Sequence, residues 1–125
     1  MALATEPDLA TLRVLVVEDD YFIADDMARA LRSLGAELLG PVPTGEDALA
    51  LLSSEPRIDI AVLDINLRGQ PVFPVAEQLR ARNIPFVFAT GYDEAAVPPA
   101  FSDVPHWEKP FDAHALARML PGFLS

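Results

Sequence analysis

The chain has 125 residues, of which 51% are hydrophobic and 22% charged, and this composition predicts one folded domain with a sizeable core. An excess of acidic residues gives a net charge of −10, which disfavours direct binding to nucleic acid or to an anionic membrane. The absence of cysteine excludes disulfides, thiolate nucleophiles and zinc–thiolate sites, and no apolar run approaches the roughly 20 residues of a membrane span.

The N-terminal half predicts alternating strands and helices after a weakly patterned start. Residues 1–12 are expected to form a flexible arm, with a helical extension as the alternative, and the domain is expected to cover 13–125. The predicted elements are, in chain order, a buried strand over Arg13–Val17, a helix ending near Gly35, a weaker strand over Glu37–Val42, a helix capped by Thr44 and a buried strand over Ile58–Asp64.

The same alternation continues in the C-terminal half. The predicted elements are a helix opened by Pro74, a buried strand over Pro85–Ala89, a brief strand within Pro105–Lys109 and a helix capped by Asp112. Between the last two strands a fourth helix is expected over Asp93–Phe101. Pro98 and Pro99 fall in its middle, where each proline costs about 3 kcal/mol, so that helix is predicted to be short or disordered. The alternation predicts an α/β fold, with a parallel sheet covered on both faces.

Polar side chains follow four of the predicted strands at the point where each strand ends. They are Glu18 and Asp19, Asp64, Thr90, and Lys109. Because the carboxyl ends of parallel strands share one edge of the sheet, we expect these groups to converge. The carboxylates would repel one another unless a cation joined them, and hard oxygen ligands favour Mg²⁺, with Mn²⁺ as the alternative.

This arrangement indicates phosphoryl chemistry. Magnesium is usually held by a few carboxylates together with the phosphate that it serves. Asp64 would be the nucleophile and would form an aspartyl phosphate. The cation and Lys109 would neutralise the charge that develops on the phosphoryl oxygens, and Thr90 would donate a hydrogen bond to the attached group.

The order and spacing of four motifs resemble the response-regulator receiver domain of bacterial two-component signalling. The motifs are Val-Val-Glu-Asp-Asp at 16–20, Leu-Asp-Ile-Asn-Leu at 63–67, Ala-Thr-Gly at 89–91 and Glu-Lys-Pro-Phe at 108–111. The resemblance implies a CheY-like, flavodoxin-like fold of five βα units with strand order 2-1-3-4-5. The run Pro-Phe-Val-Phe-Ala-Thr-Gly-Tyr at 85–92 resembles a subfamily with a Phe-Ala-Thr-Gly signature, whose members are commonly stand-alone receivers.

The resemblance also implies a role for each site residue. The implied roles are phosphoacceptor for Asp64, metal ligand for Glu18 and Asp19, backbone carbonyl ligand for Asn66, switch hydroxyl for Thr90 and phosphoryl-binding lysine for Lys109. Asn66 and Tyr92 occupy positions that tune the lifetime of the phosphoryl group in this family. His106 departs from the family pattern, because that switch position usually holds Tyr or Phe.

The implied function is that of a stand-alone phosphoacceptor response regulator rather than a turnover enzyme. It would take a phosphoryl group from a histidine kinase or a histidine phosphotransfer protein and switch partner binding. We expect a cytoplasmic monomer or weak homodimer that binds neither nucleic acid nor membrane.

Three alternatives remain open from the sequence. One is a degenerate receiver that binds partners without phosphorylation. Another is a haloacid-dehalogenase-like phosphatase, although that family requires a second Asp where Asn66 stands. The third is a flavodoxin-like redox protein, although the acidic run 18–20 would repel a phosphate after the first strand.

Overall fold

The computed structural model describes residues 9–55, 57–67, 69–91 and 97–124. Five parallel strands form one sheet in the order β2-β1-β3-β4-β5. The strands are β1 (Arg13–Val17), β2 (Glu37–Val42), β3 (Ile60–Asp64), β4 (Phe86–Thr90) and β5 (His106–Glu108). The predicted α/β class and strand order are therefore confirmed.

Four α-helices in the described part of the chain connect and cover these strands. They are α1 (Tyr21–Ser33), α2 (Gly45–Ser54), α3 (Phe73–Ala81) and α4 (Ala113–Met119). The predicted caps at Thr44 and Asp112 are confirmed, because the Thr44 hydroxyl accepts from the Asp47 N–H and the Asp112 carboxylate accepts from two N–H groups of α4. The helix α3 begins at Phe73, one residue before the predicted opening at Pro74.

The sheet is buried on both faces, as its almost continuously apolar strands require. One core lies between the sheet and the α1–α4 pair and includes Val14, Val16, Met27, Leu31 and Leu116. The other lies on the α2–α3 side and includes Leu15, Leu52, Leu63, Val75 and Leu79. Alternate residues of β1 and β3 thus point to opposite cores, and both strands keep their C-terminal ends at one edge of the sheet.

The edge strand β2 covers the predicted range and runs through Gly40 and Pro41. Gly40 has a φ of +92°, and a Cβ there would lie 2.9 Å from the Val16 carbonyl oxygen. Only glycine fits this close approach of two backbones. The register between β1 and β2 shifts at this point, which lets an edge strand accommodate the proline.

The N-terminal segment 9–12 belongs to the folded domain, which corrects the predicted arm for these residues. Leu9 is fully buried in the α1–α4 core, and its N–H donates to the Leu34 carbonyl at 3.0 Å. The Leu12 carbonyl accepts from the Glu37 N–H at 2.9 Å. The rest of the predicted arm, 1–8, lies outside the described residues.

The prediction for the fourth helix falls partly on residues 92–96, which lie outside the described part of the chain. Pro99–Phe101 forms a 3₁₀ turn, and Phe101 is buried and stacked on Phe73 with ring centroids 5.8 Å apart. The Arg80 guanidinium lies 5.1 Å from the Phe101 ring centroid and donates to the Ala100 carbonyl. This turn is therefore anchored to α3.

Among the described helices, none combines the length and the hydropathy that a membrane-spanning segment requires.

Candidate functional site

Three carboxylates meet at the C-terminal edge of the sheet. Glu18 directly follows β1 and Asp64 ends β3, and each residue is only 5% exposed, whereas Asp19 is half-buried. One oxygen from each of the three lies within 4.8 Å of the other two. Hard oxygen donors at this spacing fit a divalent cation such as Mg²⁺.

Lys109, which follows β5, places a cation against these acids. Its Nζ lies 2.9 and 3.0 Å from the two carboxylate oxygens of Glu18 and 3.2 Å from Asp64 Oδ2. Burial acts to lower the pKa of Lys109, but the hydrogen bond to Glu18 and the charge of Asp64 outweigh it, so the pKa is raised. The ammonium therefore stays charged at neutral pH.

The carboxyl group of Asp64 is held in an environment that opposes its ionisation. Burial is the main cause that raises the pKa of Asp64 to about 7, and the negative charge of Glu18 adds to it. The positive charge of Lys109 lowers the pKa of Asp64, but by less than burial and Glu18 together raise it. A divalent cation at this site would favour the ionised form, which is the nucleophilic one.

Backbone groups fix the orientation of two of the acids. The N–H of Asn66 donates to Asp64 Oδ1 at 3.2 Å, and the Asn66 side-chain oxygen accepts from the Gly69 N–H at 2.8 Å. The N–H of Asp20 donates to Glu18 Oε2 at 3.1 Å, while the Asp20 carboxylate caps α1. The loop after β3 and the start of α1 thus position the acids for one shared ligand.

The structure brings together most of the residues that the sequence predicted. It joins Glu18, Asp19, Asp64, Asn66 and Lys109 at one edge of the sheet. Thr90 ends β4 beside them, in register with Glu108, but its side chain lies outside the described residues. Tyr92 lies outside them entirely.

His106 contacts the aromatic core rather than the acids. It is in register with Phe88, and the centroids of the two rings are 5.8 Å apart. Its Nε2 is buried and has no hydrogen-bond partner within the described residues. Its predicted role as a switch residue stays a prediction.

Sequence reasoning missed two exposed aromatic residues beside the acids. Tyr21 and Phe22 open α1 directly after the acidic turn, are 74% and 77% exposed, and pack edge to face with ring centroids 5.6 Å apart. The apolar pattern of the predicted helix could have shown that both residues are exposed. The buried face of α1 runs through Met27 and Leu31, which leaves both aromatics off that face.

Comparisons with known proteins agree with this geometry. The family described as "Response regulator receiver domain" matches residues 14–120. The solution structure of SdrG from Sphingomonas melonis Fr1 is similar with 42% identity and a TM-score of 0.77, over 90% of this chain and 95% of that one. The response regulator PhyR from Brucella abortus is similar with 26% identity and a TM-score of 0.75, over 95% of this chain and 49% of that one.

A curated relative gives the same family. The sensory transduction protein LytT of Bacillus subtilis is 31% identical over 113 residues, which are 87% of this chain and 46% of LytT. The chain spans about half the length of the curated relatives that it matches first. The predicted resemblance is thus confirmed, and the chain belongs to the response regulator receiver domain family and is a receiver domain of two-component signalling.

Proposed function

We propose that Asp64 accepts a phosphoryl group from a phosphohistidine on a histidine kinase or a histidine phosphotransfer protein. The observation that carries this proposal is the surroundings of Asp64, a buried carboxylate at a strand end with Glu18, Asp19 and Lys109 around it. Receiver domains interact with donors of these two kinds. The aspartyl phosphate would be the signalling state of the protein.

The transfer exchanges one bond to phosphorus for another. A carboxylate oxygen of Asp64 attacks the phosphorus as the bond to the donor's imidazole nitrogen breaks. The imidazole keeps the electron pair of that bond and takes a proton from solvent. The Lys109 ammonium, 3.2 Å from Asp64 Oδ2, would neutralise the negative charge on the phosphoryl oxygens.

The acids are placed to hold Mg²⁺, or Mn²⁺ in its place, as receiver domains generally bind Mg²⁺. Glu18, Asp19 and Asp64 would supply carboxylate oxygens, and Asn66 its backbone carbonyl. When bound, the cation would offset the charge of the carboxylates and of the transferred group.

A donor protein must bring its histidine to the edge of the sheet where Asp64 lies. Tyr21 and Phe22 present an exposed apolar surface one residue beyond the acidic turn. Large exposed aromatics next to a reaction site favour a protein partner, because burying them is a main source of binding energy. We therefore place the donor's docking surface over the start of α1.

The protein would act as a switch and not as a turnover enzyme. The phosphoryl group adds a charge of about −1.5 to −2 to the edge of the sheet until water removes it. That charge would bias the loops around β4 and β5 and change binding to a downstream protein. The cytoplasm is the proposed location, which suits a chain without cysteine.

Intact mass spectrometry tests the proposal directly. Incubation with acetyl phosphate and Mg²⁺ should give one phosphoryl adduct, which EDTA prevents and Asp64→Asn abolishes. The matched control is Glu77→Gln, which removes an exposed acid of α3 and should leave the adduct unchanged. No adduct from acetyl phosphate or from partner kinases would favour the alternative of a receiver that binds partners without phosphorylation.

A further inference from the structure

We propose that a cleft between α2 and α3 binds a protein segment that carries an apolar side chain next to a basic one. The cleft is bordered by the first turn of each helix and by the loop after β3, and its volume is about 490 Å³. This inference rests on the proposed function and deepens it, because it names a surface whose binding would depend on the state of Asp64.

The lining of the cleft is mostly apolar. Leu67 and Val75 form its floor and are only 3% and 1% exposed, and Leu49 lies half-buried at one side. Pro71 and Pro74 form exposed parts of its walls. Accessible apolar surface next to a reaction site favours a protein partner, because burying that surface stabilises the complex.

The cleft suits a protein side chain better than a small polar ligand. Of the described residues that line it, only three are polar, namely Thr44, Glu46 and Gln70. The Thr44 hydroxyl already serves as the cap of α2, so few polar groups remain to orient a small molecule. Pro71 and Pro74 fix the backbone of the walls, so a partner would lose little free energy in ordering them.

Acidic residues around the cleft favour a basic partner. Glu46 lines the cleft, Asp47 follows it in the first turn of α2, and Glu77 lies one turn along α3 from Pro74. All three acids are exposed, and none of them is ion-paired within the part of the chain that the structure describes. A lysine or arginine beside the inserted apolar side chain would match this charge.

The loop after β3 connects the cleft to Asp64. In this loop Leu67 pairs antiparallel with Gln70, and both residues line the cleft. The preceding N–H, that of Asn66, donates to Asp64 Oδ1 at 3.2 Å. A phosphoryl group attached to Asp64 would change the charge that this N–H meets, and the loop wall of the cleft would respond.

Random peptides are the probe for this surface. A phage-displayed library of short peptides is selected against the chain, both alone and with Mg²⁺ and beryllofluoride, which mimics a phosphoryl group on an aspartate. We expect the enriched peptides to combine an apolar residue with a neighbouring Lys or Arg and to shift the methyl NMR signals of Leu49, Leu67 and Val75. Enrichment of acidic peptides, shifts confined to other methyl groups or no enrichment at all would overturn the proposal.

Two glycine substitutions test the cleft itself. Gly45→Leu fills it from the side of α2, where the nearest atom to an added Cβ is Val75 Cγ2 at the ordinary contact distance of 3.6 Å. Gly122→Leu is the matched control in the turn after α4, where an added Cβ meets nothing within 4 Å. Neither glycine has a positive φ, so both variants should fold, which circular dichroism verifies.

We expect Gly45→Leu to weaken binding of a selected peptide by about tenfold or more, and Gly122→Leu to leave the affinity within about twofold. Equal peptide affinities in Gly45→Leu and the native chain would show that the peptide does not occupy the cleft.

The link to Asp64 is measured with the same peptide. Its affinity should differ by about fivefold or more between the free chain and the chain with Mg²⁺ and beryllofluoride, and this difference should vanish in Asp64→Asn. A phosphoryl adduct on Asp64 with no change in peptide affinity contradicts only this inference. Peptide binding in the cleft of a chain that forms no adduct contradicts only phosphoacceptance.

Discussion

Replacing Asp64 by Asn should stabilise the metal-free protein, even though the residue is the proposed phosphoacceptor. Burial and the charge of Glu18 raise the pKa of Asp64 from 3.8 to about 7. Because its pKa is higher in the folded state, the ionised carboxylate opposes folding. Below about pH 4 the carboxyl group is protonated in both the folded and the unfolded state, and this cost is absent. The cost grows as the pH rises from about 4 to about 7, and it is complete above about pH 7.

The magnitude follows from this shift. Each pKa unit corresponds to about 1.4 kcal/mol, so a shift of about three units sets an upper bound of about 4 kcal/mol near pH 8. Asparagine keeps the shape of the side chain but loses the charged contact with Lys109, which offsets part of the gain. We expect Asp64→Asn to raise the free energy of unfolding by about 2 kcal/mol.

Urea unfolding in EDTA measures this effect, at about pH 5 and again near pH 8. The gain of the variant over the native chain should be larger at the higher pH, and Mg²⁺ should reduce it by stabilising the native chain more than the variant, which lacks one carboxylate ligand. Glu77→Gln should stay within about 0.5 kcal/mol of the native chain. A variant no more stable than the native chain near pH 8 would refute the reasoning, because Asp64 would then carry no unfavourable charge.

Three further predictions address the surface and the core. Tyr21→Ala combined with Phe22→Ala should slow phosphotransfer from a protein donor by tenfold or more, about 1.4 kcal/mol, since the donor loses an apolar contact. The rate with acetyl phosphate should not change, and an equal loss with both donors would contradict the docking surface. Leu9→Ala should lower the free energy of unfolding by about 2–3 kcal/mol, whereas a residue of a free arm would have no effect. Phe101→Ala should cost about 3–5 kcal/mol in the same assay, and a cost below about 1 kcal/mol would show that the turn is not anchored.

The elements and the edge that carries the site could be predicted from the sequence because both follow from local patterns. Apolar runs such as Val14–Val17 are short, rich in β-branched residues and bounded by polar residues, which identifies a buried strand. A parallel sheet places every strand's C-terminal end on one side, so Asp64 and Lys109 had to approach one another. The caps at Thr44 and Asp112 follow equally from the residues at the helix starts.

The remaining features depend on contacts between distant residues. Leu9 lies in a short, weakly patterned segment, and its burial depends on packing against a distant part of the chain that includes Leu34. Lys109 was expected to act at Asp64, and its closer attachment to Glu18 depends on side-chain lengths across two strand ends. The exposure of Tyr21 and Phe22 depends on which face of α1 the sheet covers.

The two margins of the sheet bear on how the protein behaves at high concentration. An unpaired strand edge is a template on which another chain can add a strand. In β2, Pro41 lacks an N–H and Gly40 bends the backbone, while β5 offers only three residues. In the described sheet, neither margin gives an incoming strand a long, regular row of hydrogen-bonding groups, which disfavours edge-to-edge aggregation through β2 or β5.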